Sequence, residues 1–188
     1  MDAIELLTTR SSMPRLIAPA PDAHSLALIQ QAALRVPDHM ALMPVRCDIV
    51  QGDSLIALGQ LFEKAARTEA GFNSQDVDRA AQLPLRAPML IVVSTAYQDH
   101  DKVPKTEQFA TAACATMAMQ QACFAQGLGA IWRSGPYTHS ATVKAGLGIA
   151  DHDDIVGFLY VGTPAVPTPI KPAKENTIFR MAKIDINS

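Results

Sequence analysis

The clearest candidate for chemistry is an arginine at the end of a short predicted strand. Residues 127–135 read Gly-Leu-Gly-Ala-Ile-Trp-Arg-Ser-Gly, which places Arg133 just before a turn. An unpaired guanidinium is costly to bury, so Arg133 is expected to face a carboxylate or the phosphate of a ligand. The planar guanidinium fork fits a phosphate well.

A second set of donors follows the first two predicted helices. Arg10-Ser11-Ser12 ends the first helix, and Arg35 and His39 lie at the end of the second. A cation complements the negative end of a helix dipole, and this role alone would explain both arginines. The hydroxyl of Ser12 and the imidazole of His39 beside them favour an oxyanion site, although a turn-stabilising role for His39 is equally consistent.

Other motifs have ordinary interpretations. Trp132 by itself is typical of core packing, and Gly127-x-Gly129 is preceded by a helix and followed by a strand, the reverse of a dinucleotide-binding turn. The Asp- and His-containing stretches at 99–101 and 151–154 lie in polar connections and are interpreted as solvated loops. Neither a Gly-x-Ser-x-Gly elbow nor a Walker-type loop occurs in the sequence.

Composition predicts one domain over residues 1–188. The chain is 48% hydrophobic and 18% charged, and the charged share is below the roughly 25% usual for soluble domains, so part of the surface is expected to be covered by a second subunit or a cofactor. The net charge is −2 and no basic run is present. These features favour small-molecule partners over nucleic acid or an anionic membrane.

The sequence points to a reducing cytoplasmic setting. It shows no signal-peptide pattern and no apolar run of about 18 residues. The three cysteines, Cys47, Cys114 and Cys123, have neither metal-ligand nor disulfide-framework spacing, so they are interpreted as free thiols and no metal site is predicted.

Hydrophobic periodicity and capping residues predict alternating helices and strands. Asp2, Asp22 and Asp53 are expected to cap three helices, with Leu55, Leu58, Leu61 and Phe62 on the buried face of the third. Further helices are predicted near 74–83, 104–126 and 140–146. Strands are predicted at 45–51, 88–95, 130–133 and 155–161, the second being apolar throughout and therefore central.

The predicted helix at 104–126 carries no charge after residue 108. A helix without a charged face must be surrounded by protein, and its many alanines permit close backbone approach. We therefore expect a central helix packed partly against a second subunit. The proline-rich segment 164–172 cannot form a central strand.

These motifs resemble those of the FMN-dependent nitroreductase family, in its compact branch. They are Arg-x-Ser at 10–12, Arg-x-Pro-Asp-His at 35–39, the 127–135 segment, and Gly-Phe-Leu-Tyr-Val-Gly-Thr-Pro at 157–164. The resemblance implies an α+β fold with a central mixed or antiparallel sheet flanked by helices. It also implies a homodimer with a long buried central helix and an exchanged C-terminal tail over 164–188, which adds an edge strand at 177–184.

The resemblance further implies a cofactor, FMN, at the dimer interface. Phosphate and ring contacts match Arg10, Ser11, Ser12, Trp132 and Arg133, and Arg35 and His39 match positions supplied by one or other subunit. The N–H groups of Ser134 and Gly135 match those that hydrogen-bond the redox-active flavin nitrogen. Electrons would pass from NAD(P)H to a small oxidant such as a nitroaromatic or quinone by a ping-pong mechanism. Since the cofactor carries the chemistry, no catalytic acid or base is required.

Two departures from the family leave an alternative open. Ser11 stands where close relatives carry a second arginine, and Val45 follows Pro44 where they carry tryptophan. The alternative is a catalytically weak flavin-binding carrier or sensor. A structural homodimer without a cofactor is a third interpretation.

Overall fold

In the part of the chain that the structure describes, five strands form one sheet in which every pairing is antiparallel. They are β1 (Leu16–Ile17), β2 (Val45–Gln51), β3 (Met89–Thr95), β4 (Gly129–Arg133) and β5 (Ile155–Pro164). Strand β3 lies between β2 and β5, and β5 also pairs with β4 and, at its end, with β1. The computed structural model describes residues 1–167, 172 and 178–182.

Both faces of the sheet are covered by helices. These are α1 (Ala3–Thr9), α2 (Ala23–Ala33), α3 (Asp53–Thr68), α4 (Ser74–Ala80), α5 (Lys105–Ala125) and α6 (Ala141–Gly146). One face packs on α3, with Leu90, Val92 and Phe158 in its core. The other packs on α2 and α5, with Met89, Ile91 and Leu159. All seven residues of β3 are buried, which confirms its predicted central position. The predicted α+β fold with a central antiparallel sheet flanked by helices is confirmed.

Two of the three predicted N-cap residues are confirmed. Asp2 accepts a hydrogen bond from the Glu5 N–H at 2.8 Å, and Asp22 accepts one from the Ser25 N–H at 2.7 Å. The prediction that Asp53 caps α3 is wrong. Gly52, with φ 55°, is the N-cap residue, and Asp53 is the first helical residue. A carboxylate in the first turn still complements the helix dipole there.

Two further features differ from the sequence predictions. Strand β1 was not predicted, because two residues are too few to show a period. The 151–154 stretch is not simply a solvated loop. Asp153 is buried, and its Oδ1 accepts hydrogen bonds from Thr95 Oγ1 at 3.2 Å and from the Tyr97 N–H at 2.7 Å. This carboxylate therefore ties the end of β3 to the start of β5.

Helix α5 is buried on one side only. Its residues toward the sheet, such as Ala112, Ala115 and Met119, are buried, whereas Phe109 and Cys114 on the other side are exposed. Helix α1 buries none of its residues, and Ile4 and Leu7 are 69% and 61% exposed. An apolar surface thus runs over both helices. Among the described residues, no helix is long and apolar enough to cross a membrane.

Candidate functional site

The segment after α1 is fixed to the start of β4. The Met13 N–H donates to the Ala130 carbonyl at 2.9 Å. From α5, Gln120 Nε2 donates to Ser12 Oγ at 3.1 Å and to the same carbonyl at 3.2 Å. Because Gln120 is buried, this amide holds helix, segment and strand in one arrangement.

Arg10 brings an unsatisfied donor to this place. It is the C-cap residue of α1, and its Nη1 is buried without a hydrogen-bond partner among the described residues. Leaving such a donor unpaired costs about 1–3 kcal/mol, so an anion at this position is favoured. Ser11 is buried and its hydroxyl donates to the Thr9 carbonyl at 3.2 Å, which leaves Ser12 as the serine whose hydroxyl faces the Gln120 amide.

The other end of β4 presents backbone donors. Arg133 is the last strand residue, and neither the Ser134 N–H nor the Gly135 N–H donates to another group of the described chain. Gly135 has φ +138° and no atom within 4 Å of the position a Cβ would take. A planar ligand can therefore approach this turn closely. Ala130 and Ser134 are separated by roughly 13 Å at the usual strand rise.

Trp132 lies on the opposite face of β4 from Arg133. It packs against the α5-side core, and its Nε1–H donates to the Val156 carbonyl at 3.3 Å. A Cβ at Gly157 would overlap the indole, so glycine is needed there. The Trp132 side chain thus packs within the protein, as predicted from the tryptophan alone.

Arg133 extends into a cavity of about 190 Å³ on the α3 side of the sheet. Its guanidinium lies 5.9 Å from the centre of the Tyr160 ring. Arg79 from α4 and Arg86 from the 3₁₀ turn Pro84–Arg86 line the same cavity. Arg79, Arg86 and Tyr160 were not predicted as site residues, because no spacing rule connects residues that only the fold brings together.

His39 lies apart from these groups. Its Nδ1 is 2.7 Å from Glu107 Oε2 in the first turn of α5, with both side chains half-exposed. Glu107 and Gln120 are 13 residues apart on this helix, which corresponds to roughly 20 Å along its axis. Within one chain, His39 and Ser12 therefore do not meet.

Arg35 takes an intermediate position. It follows the C-cap Leu34 of α2, so it lies just beyond the last turn rather than in it. It lines an open depression of about 510 Å³ together with Leu6 of α1 and Met117 of α5. Leu6 is one helical turn before Arg10, so the depression that Arg35 lines extends to α1.

The loop beside His39 has an unusual backbone. Met40, Ala41 and Met43 all have positive φ, at 62°, 54° and 50°. The Asp38 carboxylate accepts a hydrogen bond from the Met43 N–H at 2.7 Å, and Gln98 Nε2 donates to the Leu42 carbonyl. Such strain costs about 1–3 kcal/mol per residue and is concentrated at functional sites.

The buried cysteine is not a nucleophile. Burial raises the pKa of Cys123 to about 12, so this thiol is protonated at neutral pH. All three cysteines are free, as predicted. The groups described above at Arg10, Ser12 and the Ser134–Gly135 turn are hydrogen-bond donors for a ligand.

Comparison with known proteins shows the family to which the chain belongs. Residues 15–163 match the Nitroreductase family. The chain is 43% identical over 164 residues to YdjA of Escherichia coli strain K12, which is classed as an NAD(P)H nitroreductase; the match spans 87% of this chain and 89% of YdjA. The chain therefore belongs to the nitroreductase family, as the sequence motifs predicted, and is an oxidoreductase of its YdjA-like branch.

Solved structures share the fold. A nitroreductase-like protein from Bacillus cereus superposes with a TM-score of 0.79 at 21% identity, over 93% of this chain and 91% of the other. A nitroreductase with bound FMN from Bacteroides fragilis NCTC 9343 superposes with a TM-score of 0.74 at 20% identity, over 95% and 98%. At these identities the likeness concerns the fold.

Proposed function

We propose that this protein is an FMN-dependent oxidoreductase that passes electrons from NAD(P)H to a small oxidant, such as a nitroaromatic or quinone, by a ping-pong mechanism. One observation carries the proposal. A buried, unpartnered Arg10 Nη1 lies at the α1 end of the site, and two free N–H groups, those of Ser134 and Gly135, follow the far end of β4. Membership of the nitroreductase family supports the same assignment.

The α1 end suits a phosphate. Arg10 supplies a charged donor, and Ser12 supplies a hydroxyl whose position is held by Gln120. Charge-assisted hydrogen bonds of this kind are about twice as strong as neutral ones. We assign phosphate binding to Arg10 and Ser12, which together form what we call the phosphate grip. Ser11 contributes through its backbone, because its hydroxyl already donates to the Thr9 carbonyl.

The far end of β4 suits the edge of a flavin ring. We assign the Ser134 and Gly135 N–H groups to the ring, beside Trp132 and Arg133. When bound, FMN supplies the hydride and electron transfer. The protein orients the ring at this turn and leaves one ring face open. Because NAD(P)H and the oxidant share that face, they react in turn, and a ping-pong pattern follows.

We further propose that the working form is a homodimer. Ile4 and Leu7 of α1 and Phe109 of α5 are exposed in the single chain, and a group of exposed apolar residues marks an interaction surface. A dimer also explains how His39 can reach the site, although it lies far from Ser12 within one chain. If two α5 helices cross antiparallel midway between Glu107 and Gln120, His39 of one subunit approaches Ser12 of the other. Arg35, which lines the depression beside α1, would then lie at the same interface.

The proposed tail exchange concerns residues 164–188. Residues 168–171, 173–177 and 183–188 lie outside the described residues, and 178–182 form no strand in the described chain. Strand β2 is at one edge of the sheet, so its outer side is open to a partner's strand. Free thiols at Cys47, Cys114 and Cys123 fit a reducing cytoplasm.

The decisive measurement is the visible spectrum of the purified protein before and after NADPH or NADH is added without oxygen. We expect a flavin spectrum that bleaches on a catalytic timescale and returns when a nitroaromatic is added. A productive ternary complex in initial-rate kinetics would contradict the ping-pong mechanism. Colourless protein that gains no thermal stability from FMN would contradict the whole proposal.

The alternative of a flavin carrier or sensor is motivated by Ser11. Its hydroxyl bonds the chain's own backbone at Thr9, so the phosphate grip has one charge fewer than an Arg-Arg-Ser sequence would have. Stopped-flow mixing of holoprotein with NADPH separates the two functions. A carrier leaves the flavin oxidised over many seconds, whereas an oxidoreductase is reduced.

A further inference from the structure

The cavity beside Arg133 is unusually rich in positive charge. Its lining includes Arg79, Arg86, Arg133, Asp76, Tyr160 and Ser134. Three guanidiniums and one carboxylate give a formal charge of 3 − 1 = +2. The segments that supply them are α4, the turn at 84–86, the end of β4 and the middle of β5.

The single carboxylate is already fully engaged. Asp76 accepts a hydrogen bond from the Asn73 N–H at 3.1 Å in a capping box, and it forms an ion pair with Arg79. The hydrogen bond from Asn73, reinforced by Arg79, lowers the pKa of Asp76. Neither Arg86 nor Arg133 has a carboxylate within ion-pair distance among the described residues. Two like charges thus share one cavity without an anion.

The cavity also contains a neutral donor. Tyr160 is only 4% exposed, yet its hydroxyl makes no hydrogen bond with the described residues. Burial raises the pKa of Tyr160 to about 12, so the phenol keeps its proton at neutral pH. A hydroxyl donor that shares a cavity with two guanidiniums is complementary to a carboxylate, which accepts several hydrogen bonds at once.

The cavity adjoins the turn assigned to the flavin. Ser134 lines it, and the Ser134 N–H is one of the two free donors at the end of β4. A flat molecule whose reducible group lies over the ring can therefore place a substituent in the cavity. With a volume of about 190 Å³, the cavity suits a small group rather than a nucleotide.

We propose that this cavity binds the carboxylate of the electron acceptor, so that the enzyme prefers small aromatic acids bearing a nitro or quinone group. Arg86, Arg133 and Tyr160 hold the carboxylate, and Arg79 with Asp76 forms the wall. The inference rests on the proposed flavin function, because it takes the reducible group to lie at the Ser134 turn.

The test compares two acceptors that differ mainly in charge. Holoprotein is assayed with 4-nitrobenzoate and with the neutral 4-nitrobenzyl alcohol, and kcat/KM is measured for each. We expect the acid to be preferred by about tenfold or more, the usual effect of a charge-assisted hydrogen bond. In Arg86→Gln this preference falls to near unity. The control Arg67→Gln alters an arginine that is paired with Glu63 on the outer surface of α3, and it keeps the preference.

A binding measurement separates this inference from the proposed function. Titration calorimetry with benzoate, which cannot be reduced, reports on the cavity whether or not flavin is present. Benzoate binding that is lost in Arg86→Gln would support the cavity, and if the same protein is colourless and gains no thermal stability from FMN, the flavin function is overturned while the cavity stands. No benzoate binding, or equal kcat/KM for the two acceptors, would overturn the cavity assignment.

Two further results would assign the arginines elsewhere. If Arg86→Gln lowers flavin content and leaves the acceptor preference unchanged, the cavity serves the flavin ring, and the inference fails. If it raises KM for NADPH but not for NADH, the cavity serves the 2′-phosphate, and the inference fails equally.

Discussion

At the scale of single residues, Arg10 shows that a ligand-binding site can contain a buried donor that has no hydrogen-bond partner in the ligand-free protein. Its Nη1 is buried without a partner, which opposes folding by about 1–3 kcal/mol. Nothing in the described chain offsets this cost. A bound anion would accept a charge-assisted hydrogen bond from this unpartnered Nη1.

Arg10→Gln should therefore weaken FMN binding and leave the stability of the cofactor-free protein unchanged or slightly higher. We expect the dissociation constant to rise about 10- to 100-fold, since the lost bond involves a charged group. Fluorescence titration of stripped protein with FMN measures the first effect, and urea unfolding measures the second. Arg15→Gln, at an exposed position nearby, is the control. Unchanged affinity in Arg10→Gln would refute the phosphate grip.

At the scale of elements, α5 has two faces with different roles. The sheet-side face is buried, while Phe109, Cys114 and Ala118 form an uncharged outer face. An amphipathic helix normally turns charge toward water. The outer face of α5 therefore has the composition of an interface, and the proposed dimer covers it.

Ala118→Glu should dissociate the dimer while each chain stays folded. The carboxylate can remain hydrated in the monomer but would be desolvated without a partner in the dimer, at a cost of several kcal/mol. Sedimentation velocity measures the shift to monomer, and the flavin spectrum shows whether cofactor leaves at the same time. Ala57→Glu is the matched control, because Ala57 is exposed on α3, away from this surface. A dimeric Ala118→Glu protein would exclude α5 from the interface.

At the scale of the whole molecule, carboxylates stabilise the starts of helices, and one of them, Glu69 at the end of α3, bonds to the start of the distant helix α6. A hydrogen bond from Ser25 lowers the pKa of Asp22 at α2, and one from Asn73 lowers that of Asp76 at α4. Burial alone would raise the pKa of Glu69, but hydrogen bonds from Thr142 and Ser140 at the start of α6 outweigh it and lower the value. Each group therefore binds protons less readily in the folded than in the unfolded chain.

The sign of the pH effect follows from this difference. Stability from these groups is present above their unfolded pKa values of about 4 and is lost as the pH falls through the lower, folded values. Urea unfolding should show a declining free energy of unfolding from about pH 4.5 downward. Asp76→Asn should show a smaller decline, while Asp78→Asn, on the same helix but capping nothing, serves as the control. An equal decline in both variants would contradict the assignment.

Several elements follow from neighbouring residues alone. Strands β2 and β3 begin and end within one residue of their predicted limits, because an apolar run bounded by turn formers identifies a strand from local sequence. Helix α5 ends at Ala125, and Gly127 with φ +74° follows at the left-handed position predicted for it. The Gly52 cap was not predicted because aspartate is the more usual N-cap residue, and strand β1 was not predicted because two residues are too few to show a period.

For the candidate site, too, some features follow from the local sequence and others only from the fold. Local sequence was enough to single out Arg10, Ser12 and Arg133, because a charge or hydroxyl beside an element end is visible in the chain. Only the tertiary structure showed that Gln120 donates a hydrogen bond to Ser12 and that Arg10 Nη1 is buried without a partner. It also showed that Arg86 and Tyr160 line the same cavity. Periodicity and capping act over a few residues, whereas burial and charge pairing depend on which distant segments the sheet brings into contact.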